Sequence, residues 1–306
     1  MSKNVSSLEI LQSLSDAMTG LAAKVAPSVV RVRSARGFGS GLVWSEEGCI
    51  LTCSHVIGRA STVEVGLEKG LNVEARVVGH DPYSDMALLK IEQKGLKPIE
   101  RGDSEQIKVG QLVFAFANSF GRRPSTTSGI VTTARTALGW GRGVMDNMIV
   151  TDAPLNPGYS GGPLVDAAGR MIGLNVAYAN SRGIAIPINA AKEIVDSLIR
   201  DGRIRRAHLG IFTDTIGLSK DTAEQAKLDQ EEGLMIVEVE PGGPAKKAGL
   251  LVGDIVVGFN NSAVTSHRDL YILLTKDTIG KSVDVSVLRA EKLVKLSISP
   301  SEDEAT

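Results

Sequence analysis

Histidine, cysteine and aromatic side chains are all scarce in this chain of 306 residues, and each shortage removes a class of function. With 4 His and 2 Cys there are too few ligands at close spacing for a zinc site, and no metal or other cofactor is expected. Cys49 and Cys53 share one apolar run. Four extended residues at ~3.3 Å each separate them by about 13 Å, beyond the reach of a disulfide. Two free thiols agree with a reducing compartment. Aromatic content of 4% argues against stacking platforms for single-stranded nucleic acid. A formal charge of −1, from 34 basic and 35 acidic residues, leaves no electrostatic footprint for nucleic acid or an anionic membrane. No segment approaches the roughly 18 consecutive apolar residues of a membrane span. The opening MSKNVSSLEILQSLSDAM lacks an apolar core with a cleavage site, so the expected location is cytoplasmic. The glycine-rich stretches at 37–41 and 139–143 lack the spacing and context of a phosphate cradle, which excludes nucleotide binding.

What the chain does have is PLNPGYSGGPLVD at 154–166. A serine hydroxyl becomes a useful nucleophile when a base takes its proton and backbone N–H groups face the developing oxyanion. Gly158 tolerates the positive φ of the tight turn this requires, and Pro157 stiffens the approach. Gly161 and Gly162 keep the floor clear. Upstream, ILTCSHVIG carries His55 and HDPYSDMALLKI carries Asp85. The order His, Asp, Ser is that of chymotrypsin-type triads; subtilisin-like enzymes run Asp, His, Ser and α/β-hydrolases Ser, acid, His.

TCSHVIG, DPYSDMALLKI, VGQLVFAFANSFG, TSGIVTTAR, TDAPLNPGYSGGPLVD and GIAIPI together resemble successive blocks of the HtrA/Deg serine proteases. The resemblance runs from about residue 24 to 300 and includes a C-terminal stretch, EPGGPAKKAGLLVGDIVVGFN, similar to that family's PDZ domain. It implies a mainly β chain: a chymotrypsin-like double β-barrel protease domain followed by a small α+β PDZ domain. The implied activity is ATP-independent endoproteolysis of unfolded or damaged proteins, as in protein quality control and stress response. Carried onto this sequence, it makes Ser160 the nucleophile, His55 the general base and later acid, and Asp85 the group that orients the imidazole. The backbone N–H groups of Gly158 and Ser160 would form the oxyanion hole.

Two positions depart from the family pattern. Tyr159 stands where Asn is usual, and Ile184 where Phe is common. A changed side chain at 159 removes no main-chain donor, so the site is expected to remain active. Pro154 precedes Ser160 by six residues, where enzymes of this fold that cut after Lys or Arg place an aspartate. Without that carboxylate a cationic side chain would be desolvated unpaired, at a cost of several kcal/mol. A specificity pocket formed by Pro154 and Ile184 is expected to take small or medium aliphatic residues.

The length suggests about two domains. Residues 1–26 read as an N-terminal amphipathic segment, with Leu8, Leu11, Met18, Leu21 and Val25 at helical spacing. That helix either packs on its own barrel or makes a subunit contact; the resemblance implies a homo-oligomer such as a trimer. Residues 27–200 carry short β runs for the two barrels, with DAAG as a hairpin turn. NAAKEIVDSLIRDG reads as a closing helix with Asn189 as cap and Gly202 past its end. A loop is expected over about 135–147, with Trp140 either at an interface or packed. In residues 205–300, HLGI should form a nest for a peptide carboxylate, placing Leu209, Gly210 and Ile211 at a groove that binds peptide C-termini by strand addition. Ser266 and Asp269 have capping-box spacing, and His267 beside them either contacts peptide or is solvated. The competing function is a catalytically silent peptide-binding scaffold or holdase.

Overall fold

The computed structural model describes residues 7–35, 37–82, 84–119, 124–140, 143–179, 182–202 and 206–302. Its contacts separate two compact units, Met1–Ile204 and Arg205–Thr306.

The first unit is two closed six-stranded barrels. One is formed by β1 (Val29–Ser34), β2 (Gly37–Val43), β3 (Cys49–Cys53), β4 (Thr62–Gly66), β5 (Asn72–Asp81) and β6 (Met86–Lys90), in the order β1-β2-β3-β6-β5-β4. The other is formed by β7 (Leu112–Ala117), β8 (Ser125–Trp140), β9 (Gly143–Thr151), β10 (Pro163–Asp166), β11 (Met171–Ala179) and β12 (Arg182–Pro187), in the order β10-β11-β12-β9-β8-β7. Closure leaves no unpaired sheet edge. One apolar cluster joins Val32, Leu51 and Leu88 of the first barrel to Phe116, Met148 and Leu174 of the second. A separate cluster fills the second barrel around Val113, Leu164, Ile172 and Tyr159. Where the sequence predicts a loop over about 135–147, β8 instead continues to Trp140 and β9 starts at Gly143. The two pair residue against residue, as Leu138 with Met145 and Gly139 with Val144. The side chains of 135–147, the indole of Trp140 included, lie outside the described residues.

Three helices complete the unit. Helix α1 (Ser7–Val25) buries Leu21 and Val25 and leaves Leu8, Leu11, Leu14 and Met18 exposed. Its last turn is tied to its own unit by Lys24 Nζ, which donates to Glu100 Oε2 at 2.8 Å and to the Ala168 carbonyl at 2.7 Å. The one-turn α2 (Ser54–Ile57) follows β3 directly. Helix α3 (Ile188–Asp201) buries Ile188, Ala191, Val195 and Leu198, one stripe at spacings of three and four. Gly202 ends it at φ 70°, donating its N–H to Leu198. The N-cap is Pro187, not Asn189. Asn189 instead donates its side-chain amide to Asp103 at 2.8 Å, pinning the helix start to the preceding connection.

The second unit contains β13 (Ala207–His208), β14 (Ile211–Gly217), α4 (Lys220–Ala226), β15 (Glu232–Val239), α5 (Pro244–Ala248), β16 (Ile255–Phe259), β17 (Ser262–Ala263), α6 (His267–Leu273), β18 (Val283–Arg289), β19 (Lys292–Ile298) and β20 (Ser301–Glu302). Its sheet runs β14-β15-β16-β18-β19, with β17 on β16, so β14 is an edge. Leu234, Ile236, Val256, Phe259, Val285 and Val287 make the core. The capping box is formed: the Ser266 hydroxyl accepts the Asp269 N–H, and the Asp269 carboxylate accepts the Ser266 N–H at 2.9 Å.

Candidate active site

His55 and Asp85 come from adjacent strand ends. Pairing of Cys53 with Met86 sets β3 against β6, and α2 then lifts His55 out of the sheet. Asp85 immediately precedes β6 at φ 54°, a left-handed conformation that Asp tolerates better than most residues. That twist aims its carboxylate at His55. Oδ2 accepts from Nδ1 at 2.6 Å and Oδ1 accepts the His55 backbone N–H at 2.9 Å. The Asp85 side chain is 6% exposed and the imidazole 46%, so one end of the pair is sealed and the other faces solvent.

Ser160 lies on the turn before β10. Its carbonyl accepts the Ser40 N–H at 2.8 Å, which ties the turn to the first barrel. Its hydroxyl donates to the Val176 carbonyl at 3.1 Å, and among the described residues no hydrogen bond joins it to His55. A rotation about χ1 separates this hydroxyl from other staggered positions. Gly161, at φ 84°, sits against Thr52 and the Cys53 N–H; a Cβ there would also run into the Ser40 carbonyl. Glycine is therefore required by close approach as well as by conformation. The turn thus lies against Thr52 and Cys53 at the end of β3.

Ser40, which sequence reasoning passed over, completes the site together with Tyr159 and Cys53. Ser40 is fully buried, accepts the Asn118 N–H at 2.8 Å and donates to the Gly158 carbonyl at 2.7 Å. Its flanking glycines in GFGSG were the available signal, since they leave room for a second chain. Tyr159 is buried in the second barrel's core, so the departure at this position anchors the turn by apolar packing. Cys53 has its thiol at 3.4 Å from the Asn175 carbonyl. Burial, and then the Asp85 charge, push that thiol well above its usual range, so it stays protonated. Ligand atoms of Cys53, His55 and Asp85 lie within 4.8 Å of one another. Both Asp85 oxygens are already committed to His55 and the thiol holds its proton, which describes a hydrogen-bonded pair more than a metal cage.

The remaining expected residues are less convergent. Ile184 is buried on β12, paired with Val150. Pro154 is exposed, and its carbonyl accepts from Thr127 Oγ1 at 2.7 Å. Between them Leu155, not anticipated, packs so close to Gly183 that a Cβ there would lie 2.9 Å from Leu155 Cγ. In the second unit Leu209 is buried in the core, its carbonyl accepting from Ala245 at 2.8 Å; Gly210 has φ 74°, and Ile211 opens the edge strand. His267 reaches that strand, with Nε2 2.8 Å from the Thr213 carbonyl and Nδ1 3.2 Å from Thr215 Oγ1.

Comparison with known proteins agrees with this architecture. Residues 39–174 match the trypsin-like peptidase domain and residues 215–299 the PDZ domain. The chain is 36% identical to a probable periplasmic serine endoprotease DegP-like of Pseudomonas putida, over 88% of its own length and 57% of the relative's. It is 36% identical to the chloroplastic Protease Do-like 1 of Arabidopsis thaliana, over 88% of its length and 65% of that protein's. The chain thus spans a little over half the length of the curated relatives it matches. Names that specify the periplasm and the chloroplast overturn the cytoplasmic expectation, which rested on the character of the first residues, the free thiols and the lack of a long apolar run. Among solved structures, the HtrA-type protease AlgW with a tripeptide is 32% identical with a TM-score of 0.77, covering 94% of this chain and 98% of that one. A serine endoprotease from Yersinia pestis is 31% identical with a TM-score of 0.74, covering 93% and 98%. Two barrels, the trypsin-like and PDZ matches in order and the relatives above make this chain a member of the HtrA/DegP family of serine proteases with a PDZ domain.

Proposed function

We propose that the chain is a serine endopeptidase whose triad is His55, Asp85 and Ser160, acting on unfolded or damaged proteins without ATP. Residues 27–200 form the protease unit, 205–300 the peptide-binding unit, and 1–26 an N-terminal amphipathic segment. The observation that carries this reading is the His55–Asp85 pair. With Oδ2 at 2.6 Å from Nδ1, the imidazole keeps its proton on that nitrogen and presents Nε2 as a base. On substrate binding the Ser160 hydroxyl turns from Val176 toward Nε2. As Oγ bonds to the scissile carbonyl carbon, its proton passes to Nε2 and the carbonyl π pair moves onto oxygen, between the Gly158 and Ser160 N–H groups. Collapse of this oxyanion breaks the C–N bond, and His55 returns the proton to the leaving amine. Water then repeats the sequence on the acyl-enzyme and releases the acid.

Neutral Leu155 and Ile184, with Pro154 at the pocket position, support preference for small or medium aliphatic residues before the cut. The β14 edge and the nest at Leu209, Gly210 and Ile211 support capture of peptide C-termini by strand addition. The exposed apolar face of α1, Leu8 to Met18, supports assembly into a homo-oligomer such as a trimer. Turnover of an unfolded protein, with mass spectrometry of the product ends, tests the whole reading. Ser160→Ala should lower turnover on the order of 10⁶-fold. A serine-directed fluorophosphonate should label Ser160 and fail to label His55→Ala. Turnover that survives in Ser160→Ala, or absence of labelling in the presence of unfolded protein, would leave the scaffold as the better description. Product ends rich in Lys or Arg would overturn the pocket assignment.

A further inference from the structure

Four successive peptide units, from Pro157 to Gly161, shape the turn that carries Ser160, and they are not held alike. The unit between Gly158 and Tyr159 is fixed at both ends: its carbonyl accepts from the buried Ser40 hydroxyl at 2.7 Å and its N–H donates to Asn156 at 3.0 Å. The unit between Tyr159 and Ser160 has its carbonyl bound by the Gly162 N–H at 2.9 Å, and the Tyr159 ring beside it is packed in the core. The unit between Ser160 and Gly161 is again fixed at both ends, by the Ser40 N–H at 2.8 Å and the Asn175 carbonyl at 2.8 Å. The unit between Pro157 and Gly158 differs from all three. Among the described residues its carbonyl is held by one side chain, the half-buried Ser119 Oγ at 3.2 Å.

That unit carries the Gly158 N–H. In a trans peptide the carbonyl and the N–H point in opposite directions, so whatever holds the Pro157 oxygen also aims the Gly158 donor. Gly158 stands at φ 93°, where glycine rotates with little steric resistance, so the backbone itself supplies no lock. Among the described residues neither the Gly158 nor the Ser160 N–H has a protein acceptor. Ser119 also forms the wall of the turn: a Cβ at Gly158 would be driven into its Oγ and lie 2.7 Å from its Cβ and 2.9 Å from Phe38.

We infer that Ser119 is a positioning residue for the oxyanion hole, holding the Pro157 carbonyl away from substrate so that the Gly158 N–H faces the developing charge. The inference rests on the triad reading above. It places control of the hole on one hydroxyl just past the end of β7, which among the described residues makes no hydrogen bond to Ser160 or His55.

The test uses the full chain, a fluorogenic peptide and a peptide aldehyde, whose hemiacetal oxygen occupies the hole as the oxyanion does. Ser119→Ala should lower kcat and weaken aldehyde binding by the same factor, roughly fivefold to tenfold for one hydrogen bond, with KM and thermal stability within twofold and 2 °C, respectively. Ser119→Thr, which keeps the hydroxyl, should restore both. A merely structural role would move stability and KM and leave aldehyde affinity tracking peptide affinity. Wild-type fluorophosphonate labelling together with unchanged kcat and aldehyde affinity in Ser119→Ala overturns the positioning role alone. A wild type that neither labels nor turns over overturns the role and the triad reading together.

Discussion

The two barrels contribute to the cleft by different means. In the first, His55 and Asp85 are bound to each other through two hydrogen bonds, and the carboxylate is sealed beneath the ring. Their geometry is complete before substrate arrives. In the second, the proposed nucleophile and oxyanion donors lie on a turn whose carbonyls are anchored one by one, while the Ser160 hydroxyl rests on Val176. The contrast follows from chemistry. A base must be held in one tautomer, which a buried carboxylate does well, whereas a nucleophile and its oxyanion donors must serve a charge that exists only during reaction. Pre-organisation is thus concentrated in side chains on one side of the cleft and in backbone on the other.

The sharpest way to break the first half is Asp85→Asn, which preserves shape but removes the charge that fixes the imidazole tautomer. Turnover should fall by about 10⁴, with substrate KM little changed. If the loss were below tenfold, the 2.6 Å bond would be structural only. The second half breaks at Gly158→Ala. Its positive φ and its contact with Ser119 both oppose a Cβ, so one oxyanion donor is lost and kcat should fall by about 10²–10³. Folding, followed by circular dichroism, should be retained because Tyr159 and the Ser40 hydrogen bonds still anchor the turn.

A smaller substitution outside both barrels sharpens the comparison as a control. Ser266→Ala removes the hydroxyl of the α6 capping box and should cost about 1 kcal/mol locally, seen as faster amide exchange in α6 with peptide turnover per Ser160 label unchanged. Acid should act on the same cap. Burial raises the Asp269 pKa, but hydrogen bonds from Thr265 and Ser266 outweigh it, and the net shift is downward. The stabilisation is therefore present above the unfolded-chain value near ~3.9 and disappears as pH falls through the lower folded value. Asp269→Asn should abolish this acid dependence of α6 exchange.

Much of this architecture is legible in the sequence because alternation and turn chemistry are local. Cys49–Cys53, Thr62–Gly66 and Met86–Lys90 emerge where apolar β runs lie between polar or glycine breaks. Capping at Ser266 and the Gly202 helix stop were likewise written in residue type. Helix α4 was missed because KDTAEQA carries no apolar stripe; its signal was Ser219, whose hydroxyl accepts the Thr222 N–H. Asn189 misled because a good capping residue one position inside a helix has another partner, Asp103, that is distant in sequence. In the site, His55, Asp85 and Ser160 stood out through flanking motifs. Ser40, Ser119 and Leu155 did not, and Tyr159 showed only as a departure from the family pattern, since each acts through a neighbour 3 to 118 positions away or through burial. Such pairings become visible only once the barrels close.

Cys53 has a further chemical consequence. Disulfide exchange begins with a thiolate, and this sulfur keeps its proton because burial and a neighbouring anion disfavour a second negative charge. Cys49, at the other end of the same strand, is only partly buried. An oxidant such as oxidised glutathione should therefore trap this protein through Cys53 only after the first barrel has opened, which makes that buried thiol a reporter of unfolding.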